Sequence, residues 1–137
     1  MRAAMARRVS EWFRRPARPV PTATDAVEAH PRPAVVVDLA LRAAELAVQT
    51  GAVTSEAIAF ALTITSAYGL NADVDVTWTS VTISYHQRGR SVPITGFRGV
   101  RGREVDYTTL TLLLRLIDDI GAGDLPLEVA VARLDAL

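Results

Sequence analysis

The chain has 137 residues, half of them apolar, with 15 arginines balanced by 15 acidic residues and neither lysine nor cysteine. That length suits a single domain around one core, and the missing thiols exclude a disulfide framework, a thiolate metal centre and a cysteine nucleophile. The formal charge of zero conceals an asymmetry: residues 1–18 hold six arginines against Glu11, a balance of +5 that leaves −5 on the rest.

In that basic stretch Met5, Val9, Trp12 and Phe13 fall at helical spacing. The pattern suits a short helix lying on an anionic membrane surface, and equally a solvated basic tail. An uninterrupted apolar stretch of the kind a secretory signal carries is missing, and no nucleic-acid-reading module follows, so no nucleic-acid partner is expected. Pro16, Pro19, Pro21, Pro31 and Pro33 then mark an extended linker in which His30 is solvated. Residues 1–33 are accordingly expected to be a largely disordered basic segment and linker, and residues 34–137 the globular domain.

Two helices come next. From Val35 to Thr50 the residues are mostly apolar except Asp38, Arg42, Glu45 and Gln49, which step by four, three and four into one polar stripe, so that helix is expected to be buried over most of its circumference. Gly51 supplies the left-handed position that ends it, and Gly69 does the same for a helix starting near Thr54. The 16 uncharged residues between Glu56 and Asp73 fall short of the roughly 20 that span a bilayer, which makes this a core helix.

Residues 73–86, DVDVTWTSVTISYH, alternate polar and apolar and predict a hairpin. A two-residue connection at Thr79-Ser80 would oppose Trp78 with Val81, Val76 with Ile83 and Val74 with Tyr85 on an apolar face that includes Trp78. It would also oppose Asp73 with His86 on the polar face. Thr-Ser lacks the glycine or asparagine that tight primed turns prefer, so a wider loop stays open. Val92 to Phe97 offers a third strand that Pro93 confines to an edge or a bulge. Asp106 suits the cap of a helix from Tyr107 to about Ile120, with Leu110, Leu113, Leu114, Ile117 and Ile120 facing the core and Arg115 placed to pair with Asp118 or Asp119. Gly121 and Gly123 break it, and Pro126 suits the first turn of a last helix through Val129, Leu134 and Leu137. The expected fold is α+β: a small antiparallel sheet of about three strands packed against four helices in the order ααβββαα.

The segments VDLALRAAELAVQTGAVTSEAIAFALTITSAYGL, VDVTWTSVTISYH and RGVRGREVDYTTLTLLLRLIDDIGAGDLPLEVAVARLDAL resemble the N-terminal domain of the threonine/serine exporter family. The resemblance runs from about Val36 to Leu137. It implies a cytosolic domain, at the cytoplasmic face of the inner membrane, attached to a multi-helix carrier that exports small hydrophilic amino acids using the proton-motive force. The chain departs from the family in lacking the membrane half, so a truncated exporter, an excised domain and one half of a split transporter are all compatible with it. It also carries Pro126 where the family commonly has a capping serine. The implied partners are a membrane-embedded transporter half and a small amino acid such as threonine or serine; no enzyme activity and no cofactor are expected.

The residues most suited to binding lie in the RGVRGRE stretch. Arg98, Arg101 and Arg103, with Asp106, could present guanidinium groups to a carboxylate, to lipid phosphates or to a membrane partner, or could form a solvated loop. Asp73, Asp75 and His86 are weaker candidates for metal binding or proton transfer, since the wet face of a hairpin explains them as well. A Ser84, His86, Asp73 triad can be written down, but no nucleophile elbow supports it. The remaining functional classes are a gating or accessory domain of an exporter, an amino-acid sensor, and a hydrolase-like enzyme.

Overall fold

The computed structural model describes residues 31–137; the basic segment 1–18, His30 and the first part of the proline-rich stretch lie outside the described residues. Seven elements follow in order: α1 (Pro31–Thr50), α2 (Thr54–Ala67), β1 (Ala72–Val76), β2 (Ser80–Tyr85), β3 (Ile94–Gly99), α3 (Tyr107–Gly121) and α4 (Leu127–Asp135). This is the expected α+β order of two helices, three antiparallel strands and two helices.

Helix α1 begins at Pro31, earlier than Val35, so Pro31 and Pro33 stand in its first turn and not in a linker. A first turn has no use for its amide hydrogens, and proline's fixed φ suits it. Its far end closes as the glycine predicts: Gly51 has φ +114 and Ala52 N–H reaches back to the Ala47 carbonyl at 2.9 Å. The end of α2 repeats this, with Gly69 at φ +78 and Leu70 N–H on the Thr65 carbonyl at 2.8 Å.

The strands form one sheet in the order β1-β2-β3, antiparallel throughout. The first hairpin keeps the expected apolar parity but slips by two residues. Val76 opposes Val81, Val74 opposes Ile83, and Asp73 opposes Ser84. The connection is Trp78-Thr79, because the Thr77 hydroxyl oxygen accepts from the amides of Thr79 at 3.3 Å and Ser80 at 3.1 Å. A threonine side chain thus takes the place of the turn geometry that would have required a glycine, and no non-glycine residue adopts positive φ among the described residues. A slip of two leaves Val76, Val81, Ile83 and Tyr85 buried, but it moves Trp78 to the tip. There it is 55% exposed and not in the core.

Strand β3 starts at Ile94, two residues later than expected, with Val92 and Pro93 exposed before it. It is an edge strand, one of the two positions expected for it, and Pro93 lies just ahead of its first residue, outside the ladder. Gly96 lies under α1: a Cβ there would stand 2.8 Å from Leu41 Cδ1 and 3.0 Å from Val37 Cγ1. The missing side chain is what lets α1 approach the sheet so closely.

Helices α1 and α2 cover one sheet face, while α3 and α4 pack on those helices and not on the sheet. The result is three layers with α1 in the middle, which explains why Val36, Leu39, Ala40, Ala43, Ala44, Ala47 and Val48 are all essentially inaccessible. Helix α3 turns Leu113, Leu116, Ile117 and Ile120 inward, whereas Leu114 is 41% exposed; Leu116 takes the place expected of Leu114. Asp119 pairs with Arg133 of α4 at 2.6 Å and not with Arg115, a choice consistent with the weaker helical pairing of an arginine placed N-terminal to its acid. In α4, Leu127, Ala130 and Leu134 are buried while Val129 is exposed; the helix ends at Asp135, two residues short of Leu137, which is exposed as well.

Candidate functional site

The polar stripe of α1 and the arginine-rich segment after β3 meet along one side of the molecule. Arg98 projects from β3 toward α1, where its Nε donates to the Glu45 carboxylate and its Nη1 lies 3.8 Å from Asp38. Arg42 donates to Asp135 at the end of α4 and lies 3.7 Å from Asp38. The hydrogen bond to Asp135 raises the Arg42 pKa, against an opposing effect of burial. One helix is thereby tied through charge to the sheet on one side and to the last helix on the other.

Residues 100–106 continue the side. Glu104 N–H donates to the Gln49 carbonyl at 2.9 Å and Asp106 N–H to the Thr50 carbonyl at 3.0 Å. The Gln49 side-chain amide donates to the Arg101 carbonyl at 3.0 Å. The two backbone bonds use carbonyls left free at the end of α1, and all three fasten the segment across it. Arg103 stacks on the Trp78 ring, 4.2 Å from the centroid, so the hairpin tip and this segment hold each other.

Between the end of α1 and residues 101–106 lies an open groove of about 710 Å³ lined by Gln49, Thr50, Arg101, Arg103, Asp106 and Thr109, with Leu46, Val105 and Leu137 as its apolar part. A smaller recess of about 270 Å³ adjoins it, sharing Leu46, Gln49 and Leu137 and adding Arg42, Glu45 and Arg98. Of the four stronger candidates, Arg101, Arg103 and Asp106 therefore share one groove and Arg98 belongs to the recess. Their tasks differ. Asp106 caps α3, with one carboxylate oxygen 3.0 Å from the Thr109 amide and the other accepting from the Thr109 hydroxyl at 2.6 Å. Those bonds, the hydroxyl's first, hold its pKa below the ordinary carboxylate range. Glu45, Gln49 and Arg42 were visible in the sequence only as a stripe; the signal for their role was its opposite charge to the arginine segment.

The weaker candidates sit on the other face of the sheet. His86 Nε2 lies 3.1 Å from Asp73 Oδ2, with side chains 50% and 84% exposed. They meet diagonally across the slipped register, not directly opposite. Asp75 opposes Thr82 instead. Ser84 Oγ bonds Thr95 Oγ1 at 2.8 Å, on the side away from Asp73 and His86, so the written triad is not assembled. Among the described residues no group of three or more His, Cys, Asp or Glu side chains is arranged to hold a metal ion.

The model of a protein family described as "Putative threonine/serine exporter" matches residues 38–137 of this chain. The chain belongs to the threonine/serine exporter family. Within it, a protein of Mycobacterium tuberculosis named "Probable threonine/serine exporter" is 34% identical over 103 residues, covering 74% of this chain and 20% of the relative. The threonine/serine exporter of Corynebacterium glutamicum is 34% identical over 122 residues, covering 87% of this chain and 25% of the relative. The chain thus spans a fifth to a quarter of the length of these exporters. No solved structure matches it. Among the described residues no helix is long and apolar enough to cross a membrane.

Proposed function

We propose that this chain supplies the cytosolic, non-catalytic domain of a threonine/serine exporter and acts with a membrane-embedded half in amino-acid export, in a gating or accessory role. The observation that carries this reading is one of extent. The family match takes in nearly the whole described fold, yet that fold amounts to a fifth to a quarter of the relatives, and none of its helices has the length and apolarity to span a bilayer. The charged side of α1 suits such a role, because it links the sheet, the arginine segment and α4 in one network. On this reading the chain works at the cytoplasmic face of the membrane, with residues 1–18 contacting anionic lipid. Co-expression of the chain with a carrier half of the family, followed by affinity capture and threonine efflux, tests it. Co-purification together with efflux that falls in the Arg101→Ala/Arg103→Ala variant is expected; efflux indifferent to the presence of the domain would overturn the reading.

A second reading, amino-acid sensing, is favoured by one observation: Arg101, Arg103 and the Gln49 backbone and amide border a groove of about 710 Å³, large enough for a small zwitterion whose carboxylate pairs with a guanidinium. Calorimetry with threonine and serine decides it, saturable heat supporting sensing and a flat titration to millimolar amino acid removing it. Hydrolase-like turnover has the least support, since the Asp73 and His86 side chains are 84% and 50% exposed on the outer face of the sheet, where water has ready access. A rate unchanged in His86→Ala would dispose of it.

A further inference from the structure

Among the described residues the outer backbone edge of β3 is open. Val100 N–H bonds the Thr79 carbonyl at 2.8 Å, and the strand pairs continue as Val81–Arg98, Ile83–Gly96 and Tyr85–Ile94. In an antiparallel ladder this alternation turns the amides and carbonyls of Ile94, Gly96 and Arg98 toward β2 and those of Thr95, Phe97 and Gly99 away from it. Among the described residues no backbone partner meets those three. The same strand carries Phe97, 67% exposed on the sheet face that none of the described helices covers.

We infer that this edge pairs with β3 of a second copy of the chain, antiparallel, with the twofold axis at Phe97. That register matches outward residues with outward residues: Thr95 with the partner's Gly99, Phe97 with the partner's Phe97, Gly99 with the partner's Thr95. Each is a hydrogen-bonded pair, and the interface is isologous and closes on itself. The two phenyl rings become direct cross-strand neighbours, which removes apolar surface from water and adds an aromatic pair. On the helix side, Arg98 falls beside the partner's Gly96, which has no side chain to compete for space. Its side chain is 40% exposed and comes under the helix carrying the partner's Asp38, a side chain 57% exposed. Opposite charges therefore face each other across the axis.

The other free edge does not offer this. In β1 the ladder directs Ala72, Val74 and Val76 outward, and the equivalent self-pairing about Val74 would set Asp73 directly against the partner's Asp75, twice. Like charges in direct opposition disfavour pairing, and alternating acids are a common guard on edge strands. The two edges of one sheet are thus unequal, one defended by carboxylates and one self-complementary.

The chain lacks cysteine, so single cysteines in the full chain report proximity without further engineering. In the proposed register the Cα atoms of the two Phe97 residues stand about 5.5 Å apart, within disulfide reach. Phe97→Cys is expected to give a covalent dimer under mild oxidation and Asp73→Cys to remain monomeric; cross-linking that does not favour position 97 would overturn the inference. Sedimentation equilibrium supplies a second readout. Thr95→Pro removes only an outward amide and leaves the bonds to β2 in place. It and Phe97→Lys are each expected to raise the dimer dissociation constant at least about tenfold, with an unchanged circular dichroism spectrum. A wild-type chain that sediments as a monomer up to about 100 μM, or a dimer indifferent to both substitutions, sinks the proposal.

Discussion

Asp106 holds its place in the groove wall by doing local work. Its carboxylate takes the Thr109 amide and hydroxyl, and its depressed pKa means that the folded state favours the ionised form. A depressed carboxylate contributes stability that is present above its unfolded pKa and lost as pH falls through the folded value, here below about pH 4. Asp106→Ala is therefore expected to lower Tm at neutral pH more than Asp106→Asn, and Asp106→Asn to lose less stability than wild type on acidification; thermal melts at several pH values check both. Tyr68 behaves in the opposite sense. Its hydroxyl donates to the Leu125 carbonyl at 3.0 Å, and burial pushes its pKa up. Stability is then intact below the ordinary tyrosine value of about 10 and declines as pH rises through the folded value. Tyr68→Phe should cost about 1 kcal/mol near neutrality and flatten the alkaline decline, as urea midpoints on either side of about pH 10 would register.

Among the elements, β3 is the one most shaped by what packs on it. The space above Gly96 is filled by Leu41 and Val37, so Gly96→Val forces a core side chain or the helix itself to move, with an expected loss of about 1–3 kcal/mol. Chemical denaturation measures that loss. Pairing Gly96→Ala with Leu41→Ala should give a penalty smaller than the sum of the two, since the second change vacates the space the first one needs. The β1–β2 hairpin makes a related point about sequence. Alternation specifies which face is apolar but is blind to a slip of two residues, which conserves parity. The choice fell to Thr77, whose hydroxyl oxygen satisfies two turn amides; Trp78 left the core as a consequence.

At the scale of the whole molecule, α1 is the middle of three layers, and its one polar stripe carries the charges that bind the layers together. Arg98–Glu45 joins the sheet to α1 and Arg42–Asp135 joins α1 to α4. Glu45 is the most enclosed carboxylate among these pairs, its side chain 16% exposed. A double-mutant cycle on Arg98 and Glu45 is expected to give a coupling of about 1 kcal/mol or more, and one on the exposed pair Arg133 and Asp119 a value below that, since solvent screens exposed ion pairs.

Much of this was legible beforehand for physical reasons. Helix ends at Gly51 and Gly69, the order of elements, the apolar face of the hairpin apart from Trp78, and the cap at Asp106 all follow from short-range rules of backbone conformation and side-chain parity, which one strand or helix enforces on its own. The family followed from whole segments of sequence. Only the tertiary structure decided that Arg98 belongs to β3 and turns under α1 to Glu45, that Asp73 meets His86 diagonally, that Leu116 replaces Leu114 inside, and that among the described residues the sheet edge beside Phe97 finds no partner. Each depends on which distant element arrives to pair with a side chain or to cover it, and no local pattern along the chain encodes that arrival.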